Sequence, residues 1–136
     1  MLFRSHSNVV RIADRAGVAG DGDALVTNVA GVAVSVRTAD CYPILLADMK
    51  NRAIAAVHAG WRGTAGQILL ATLHLMSERF STKPAWIRAA IGPGIGMCCY
   101  EVGSDVARQF GLQQAGCLDL AAANHSQLVT DRKSVV

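Results

Sequence analysis

The residues of this chain best suited to chemistry gather in one stretch, RTADCYPILLADMKNRAIAAVHAGWRG at residues 37–63. It sets Asp40, Cys41, His58 and Arg62 among runs of small apolar residues. A thiolate joined by one or two imidazoles is a soft-to-borderline donor set that suits zinc or copper and disfavours magnesium or calcium. Cys41 and His58 are not at zinc-finger spacing, so a structural finger is not expected. A three-ligand site with an open position is the alternative. The same pair also allows a cysteine nucleophile with a histidine base. Taken alone, Cys41 reads equally as a small buried hydrophobe, and His58 as a core histidine satisfied by backbone. Chemistry is favoured by Cys41 standing at a strand entrance, with Asp40 before it and Pro43 soon after. It is also favoured by Gly60 and Gly63 after His58, which let backbone and ligands come close.

Those residues need elements to hold them. DALVTN (23–28) reads as a short strand, and VAVSVRT (32–38) alternates Val32, Val34 and Val36 against Ala33, Ser35 and Arg37, the period of a half-buried strand. Gly31 marks the turn between them. PILLAD (43–48) and AIAAVH (53–58) are continuous apolar runs joined by the polar MKNR, which predicts neighbouring strands buried on both faces. If they form a hairpin, the start of the first lies beside the end of the second, and Cys41 approaches His58. From Thr64 onward, Ile68, Leu69, Thr72, Leu73, Met76 and Phe80 trace the stripe of an amphipathic helix, with Thr64 as its N-cap. GWRG then falls at a helix start, where N–H groups and the dipole favour an anion and Arg62 adds a forked donor. Arg62, Gly63 and Thr64 are therefore the candidate seat for phosphate or carboxylate. Further on, AWIRAAIG (85–92) reads as a strand and PGIGMCCYEVG as a Gly-rich loop. SDVARQFG (104–111) reads as a short helix capped by Ser104 and stopped by Gly111, and CLDLAAANHSQL as a strand running into a last helix.

A chain of 136 residues, about half of them apolar, supports one domain, 1–136, with a real core. The net charge of +3 is scattered, so neither a nucleic-acid arm nor a membrane-surface stripe is expected. Runs such as AIAAV and QILLATLHLM fall short of the roughly 20 residues of a membrane span, and MLFRSHSNVV has no signal-peptide pattern. A soluble, cytoplasmic protein is the expectation. Of the four cysteines, Cys98 and Cys99 are adjacent, which is poor geometry for pairing, so no disulfide scaffold is expected. These two read as packed under the Gly-rich loop, with redox chemistry as the alternative. His6, His74 and His125 have polar neighbours and read as surface residues.

TADCYPILLAD, AAVHAGWRG and IGPGIGMCCYEVG, in this order and spacing, resemble the multicopper polyphenol oxidase (laccase-like) family, whose members are regarded as zinc-dependent purine nucleoside phosphorylases. DALVTNVAG fits the family's segment before its TADC motif, and SHSNVVRI resembles its VHGxxV motif with Ser7 in place of the glycine. The resemblance changes the reading of His6. It implies metal ligands at His6, Cys41 and His58, with one position open, and a layered α/β fold of mixed sheets flanked by helices. The implied cofactor is zinc, with copper as alternative, and Cys41 and His58 act through the metal. The implied reaction is phosphorolysis of adenosine or inosine to a purine base and ribose 1-phosphate, with phosphate on Arg62, Gly63 and Thr64. Adenosine deamination and 5'-methylthioadenosine cleavage are linked activities. The implied partners are a purine nucleoside and phosphate, without nucleic acid or membrane, for a monomer or weak homo-oligomer. Family members carry further residues at both ends, including an Arg- and Gly-rich C-terminal motif, so the chain reads as a fragment or shortened relative. Two alternatives remain: a copper-dependent polyphenol oxidase, and an inactive binding protein produced by loss of terminal segments.

Overall fold

The computed structural model describes residues 8–133, and their side chains as far as Thr130. At its centre is the expected hairpin. β3 (Tyr42–Asp48) and β4 (Ala53–Ala59) run antiparallel, with Pro43 opposite His58 and Asp48 opposite Ala53. Asp48 fixes the connection between them. Its Oδ1 accepts the Lys50 and Asn51 N–H groups at 2.8 and 3.0 Å, and its Oδ2 accepts Asn51 Nδ2 at 2.9 Å. Arg52 closes the turn with φ at +58°. Such an aspartate-centred turn locks the register, and the register then decides which residues meet at the far end, where Cys41 and His58 lie.

β2 (Ala24–Thr27), from DALVTN, pairs antiparallel with the other edge of β4, and β1 (Val10–Ile12) adds parallel to β2. β5 (Ile87–Ile91) pairs antiparallel with β3, giving a mixed sheet in the order β1-β2-β4-β3-β5. β6 (Glu101–Val102) and β7 (Gly116–Cys117) form a separate two-stranded sheet. The stripe expected from Ile68 onward is α2 (Ile68–Phe80), which packs on β4, β2 and β1. α4 (Leu120–Lys133) packs on α2 in turn. The core joins Ala24, Val26, Ile44, Leu46 and Val57 of the sheet to Ile68, Leu69, Leu73 and Met76 of α2 and Leu120 of α4. α3 (Ser104–Gln109) stops at Gly111, with φ at +75°, as expected, but its N-cap is Gly103 rather than Ser104. No helix among the described residues is long and apolar enough to cross a membrane.

Three expectations are corrected. The helix after His58 does not begin with Thr64 as its cap. A short α1 (Trp61–Ala65) starts after Gly60, breaks at Gly66, and α2 restarts after Gln67, whose φ is +60°. Gly63 and Gly66 in GWRGTAG weaken helix propagation enough for the chain to break there. Thr64 turns inward, 1% exposed, and its hydroxyl exchanges hydrogen bonds with the Asn124 amide. Residues 32–38 form no strand. Val32, Val34 and Val36 are indeed the less exposed positions, but the segment has no ladder partner among the described residues. Alternation reports a half-buried face, whereas a strand also needs an edge to bond. Finally, β3 is not buried on both faces. α2 covers one face of the sheet, with α4 packed on α2, and on the other face Leu45 is 54% exposed. There it lines an apolar groove of about 390 Å³ with Val34, Ile54 and Ala89.

Candidate functional site

The hairpin register leaves Cys41, just before β3, beside Gly60, just after β4. A Cβ placed on Gly60 would stand 2.9 Å from Cys41 Sγ and 3.6 Å from His58 Cε1. Thiol and imidazole thus converge on a space that only glycine leaves open, as the sequence reading expected of Cys41 and His58. His58 is 6% exposed, and its Nδ1 lies 3.2 Å from Oδ1 of Asp23, which is 1% exposed. The other oxygen of Asp23 accepts the Asn8 N–H at 2.7 Å. Its carbonyl accepts the His58 N–H at 2.7 Å, and its own N–H donates to Val9 O at 2.9 Å. Asp23 therefore ties β4 to the segment entering β1. A carboxylate on Nδ1 favours the tautomer with its proton there, the one in which Nε2 can serve as a metal ligand.

Asp23 is the site residue that sequence reasoning missed. Its signal was an acid directly preceding the apolar ALVT, but its partner depends on the β2–β4 pairing, which is not local.

Cys41 is half-buried. Burial pushes its thiol up, and the neighbouring Asp40 and Asp23 carboxylates add to the effect. Tyr100 is half-buried. Burial raises its hydroxyl, the Cys41 thiol adds to the rise, and the Arg62 guanidinium opposes it. Arg62 is exposed, with its guanidinium 4.3 Å from the centroid of the Trp61 ring.

The expected anion seat of Arg62, Gly63 and Thr64 lies on a short turn of helix. α1 spans only five residues, and the Thr64 N–H closes its turn on Gly60 O at 2.8 Å. A Cβ on Gly63 would lie 3.1 Å from Ile68 Cγ2, so that position also faces inward. Of the three, Arg62 is exposed, while Gly63 and Thr64 are buried.

His6 lies outside the described residues. The chain enters them at Asn8, held on Asp23 and laid across α1, where a Cβ on Gly66 would collide with the Asn8 side chain. Among the described residues no three metal-capable side chains cluster. The two that converge, a thiol and a carboxylate-held imidazole, are nonetheless donors that fit a soft or borderline ion. The other histidines are as expected. His74 is exposed and pairs with Glu78 at 3.3 Å, and His125 is exposed on α4. Cys98 and Cys99 do not pack under their loop; both are exposed.

Residues 1–134 match a family model described as multi-copper polyphenol oxidoreductase laccase. The chain belongs to this family. A relative from Deinococcus radiodurans, named purine nucleoside phosphorylase, is 48% identical over 79% of this chain and 46% of its own length. Another, adenosine deaminase RL5 from an unknown prokaryotic organism, is 41% identical over 75% of this chain and 38% of its own. The crystal structure of YlmD from Geobacillus stearothermophilus superposes with a TM-score of 0.84 at 31% identity, covering 93% of this chain and 56% of that one. The mixed α/β fold is thus the laccase-like family's, and the chain spans roughly half the length of these relatives.

Proposed function

We propose that this chain forms the zinc centre of a purine nucleoside phosphorylase, with His6, Cys41 and His58 as ligands and Arg62 as the phosphate-binding cation. The observation that carries the reading is the convergence of Cys41 and His58 on Gly60, with His58 Nδ1 held by Asp23. His6 enters as the third ligand from the family resemblance. Zinc bound there supplies Lewis-acid polarisation at its open position.

The chain's own groups supply the rest. Asp23 holds the His58 ring in the tautomer that offers Nε2. Arg62, already solvent-facing, binds phosphate through its forked N–H groups. In phosphorolysis a phosphate oxygen forms a bond to the ribose C1' while the C1'–N bond breaks. The purine leaves with that electron pair and takes up a proton, and ribose 1-phosphate remains. The relatives named purine nucleoside phosphorylase support a purine nucleoside as substrate, and the family resemblance implies adenosine or inosine. The relative named adenosine deaminase supports deamination at the same centre as a second activity; cleavage of 5'-methylthioadenosine belongs to the same group of reactions.

A copper polyphenol oxidase ranks lower, because one thiol and two imidazoles make a single-metal site, short of the cluster that four-electron oxygen reduction uses. The test is metal content of the purified chain together with turnover of inosine plus phosphate against turnover of a phenol. Bound zinc with ribose 1-phosphate formation is expected. Bound copper with phenol oxidation alone would overturn the reading. A zinc-loaded chain that gains phosphorolysis only when extended with the C-terminal segment of the Deinococcus radiodurans relative would mark it as the inactive, binding form.

A further inference from the structure

Cys98 and Cys99 stand outside the site just described, and their arrangement has its own chemistry. Adjacent side chains in an extended strand point to opposite faces. Here residues 97–99 form a turn, closed by the Cys99 N–H on Gly96 O at 3.0 Å, and the two sulfurs come to 3.1 Å of one another, both exposed. The turn is held from both sides. Ile95 N–H donates to Asp40 O at 2.8 Å, the Tyr42 hydroxyl donates to Ile95 O at 2.8 Å, and Tyr100 O accepts the Leu118 N–H at 2.9 Å. The pair is therefore positioned before any ligand arrives, which lowers the ordering cost of binding.

A disulfide is the poorer use of this geometry. Neighbouring Cα atoms are about 3.8 Å apart, below the usual range for a disulfide, so the closed ring would be strained and easily reduced. Two thiolates on tetrahedral zinc at about 2.3 Å would stand ~3.8 Å apart, wider than the pair found here. The narrow bite suits a centre whose two sulfur bonds are nearly at right angles.

We propose that Cys98 and Cys99 form a second binding site, a chelating dithiol for a soft thiophilic centre that takes two thiolates, with trivalent arsenic as the type case. With an organic arsenoxide the step is a condensation. Two S–H bonds and the As–O bonds break, two As–S bonds form, one water leaves, and no atom changes oxidation state. The site is one residue from Tyr100 but shares no ligand with Cys41 or His58, so it stands or falls independently of the phosphorylase reading.

The test is titration of the reduced full chain with phenylarsine oxide, followed by intact mass and by the count of remaining thiols. One arsenical per chain masking two thiols is expected. Cys98→Ser and Cys99→Ser should each weaken binding by about 100-fold or more through loss of chelation. Cys41→Ser and Cys117→Ser should leave it unchanged. Both target residues are exposed, so the variants should fold, and an unchanged circular dichroism spectrum verifies this. Absence of binding by wild type, full binding by Cys98→Ser, or equal loss in Cys117→Ser, which would make Cys99 and Cys117 the pair, would each overturn the proposal. So would isolation of the 98–99 disulfide from reducing buffer.

Discussion

Asp23 holds three segments together through a single buried side chain, and replacing its charge tests that arrangement. In Asp23→Asn the side chain keeps its size but loses the carboxylate that fixes the His58 tautomer. Zinc affinity should fall about 10- to 100-fold, the usual effect of removing such a partner. Competition with a chromogenic chelator measures it, and an unchanged affinity would show that His58 needs no positioning. Gly60→Ala is the steric counterpart. The new methyl would meet Cys41 Sγ at 2.9 Å, so the thiol must shift or the hairpin end must spread. A loss of about 1–3 kcal/mol in urea unfolding, with weakened zinc binding, is expected. At this scale the sequence was readable where it depended on the hairpin. Cys41 and His58 meet because PILLAD and AIAAVH pair, and both runs were legible. Asp23 was not, because nothing local shows that Ala24 will lie opposite Val57. Thr64 was misread because capping residues and buried polar residues share a composition, and only Asn124, far along the chain, decides between the two roles.

Among the elements, the β3–β4 turn sets the register on which the site depends. Burial by itself would raise the Asp48 carboxyl, but hydrogen bonds led by the Asn51 N–H outweigh it and hold the group below its ordinary value. A carboxyl lowered in the folded state contributes stability above its unfolded pKa of about 3.9, and that contribution is lost as pH falls through the folded value. Asp48→Ala should therefore cost about 1–3 kcal/mol near neutral pH. The gap between variant and wild type should narrow as pH drops below about 4. Denaturant titrations at several pH values check this, and a constant gap would mean that the turn is held by packing instead. The segment 32–38 marks the limit of element-level reading. Its alternation was real, but whether such a segment joins a sheet depends on a free neighbouring edge, which no window of sequence displays. The two halves of the helix reading divided in the same way. Spacing found α2, while the glycines of GWRGTAG broke the turn before it.

For the whole molecule, one face of the sheet is covered by α2, with α4 packed on it, and the other carries the groove around Leu45. Exposed Leu45 contributes little to the fold, so Leu45→Lys should change unfolding free energy by no more than about 0.5 kcal/mol. It should also lower binding of a hydrophobic dye. A large destabilisation would mean that Leu45 is buried in solution. The fold class was legible from alternating strand and helix patterns, and the family from three motifs. The open face was not legible, because apolar runs read as two-sided burial whether or not anything covers the second face. The central claim concerns one point on this molecule, where β3 begins and β4 ends. The most direct measurement is the zinc and copper content of purified wild type and of Cys41→Ala, taken with inosine phosphorolysis by the same samples. The account predicts about one zinc per wild-type chain, with loss of both metal and activity in Cys41→Ala. Wild-type protein that is active without metal, or Cys41→Ala that keeps its zinc, would contradict it.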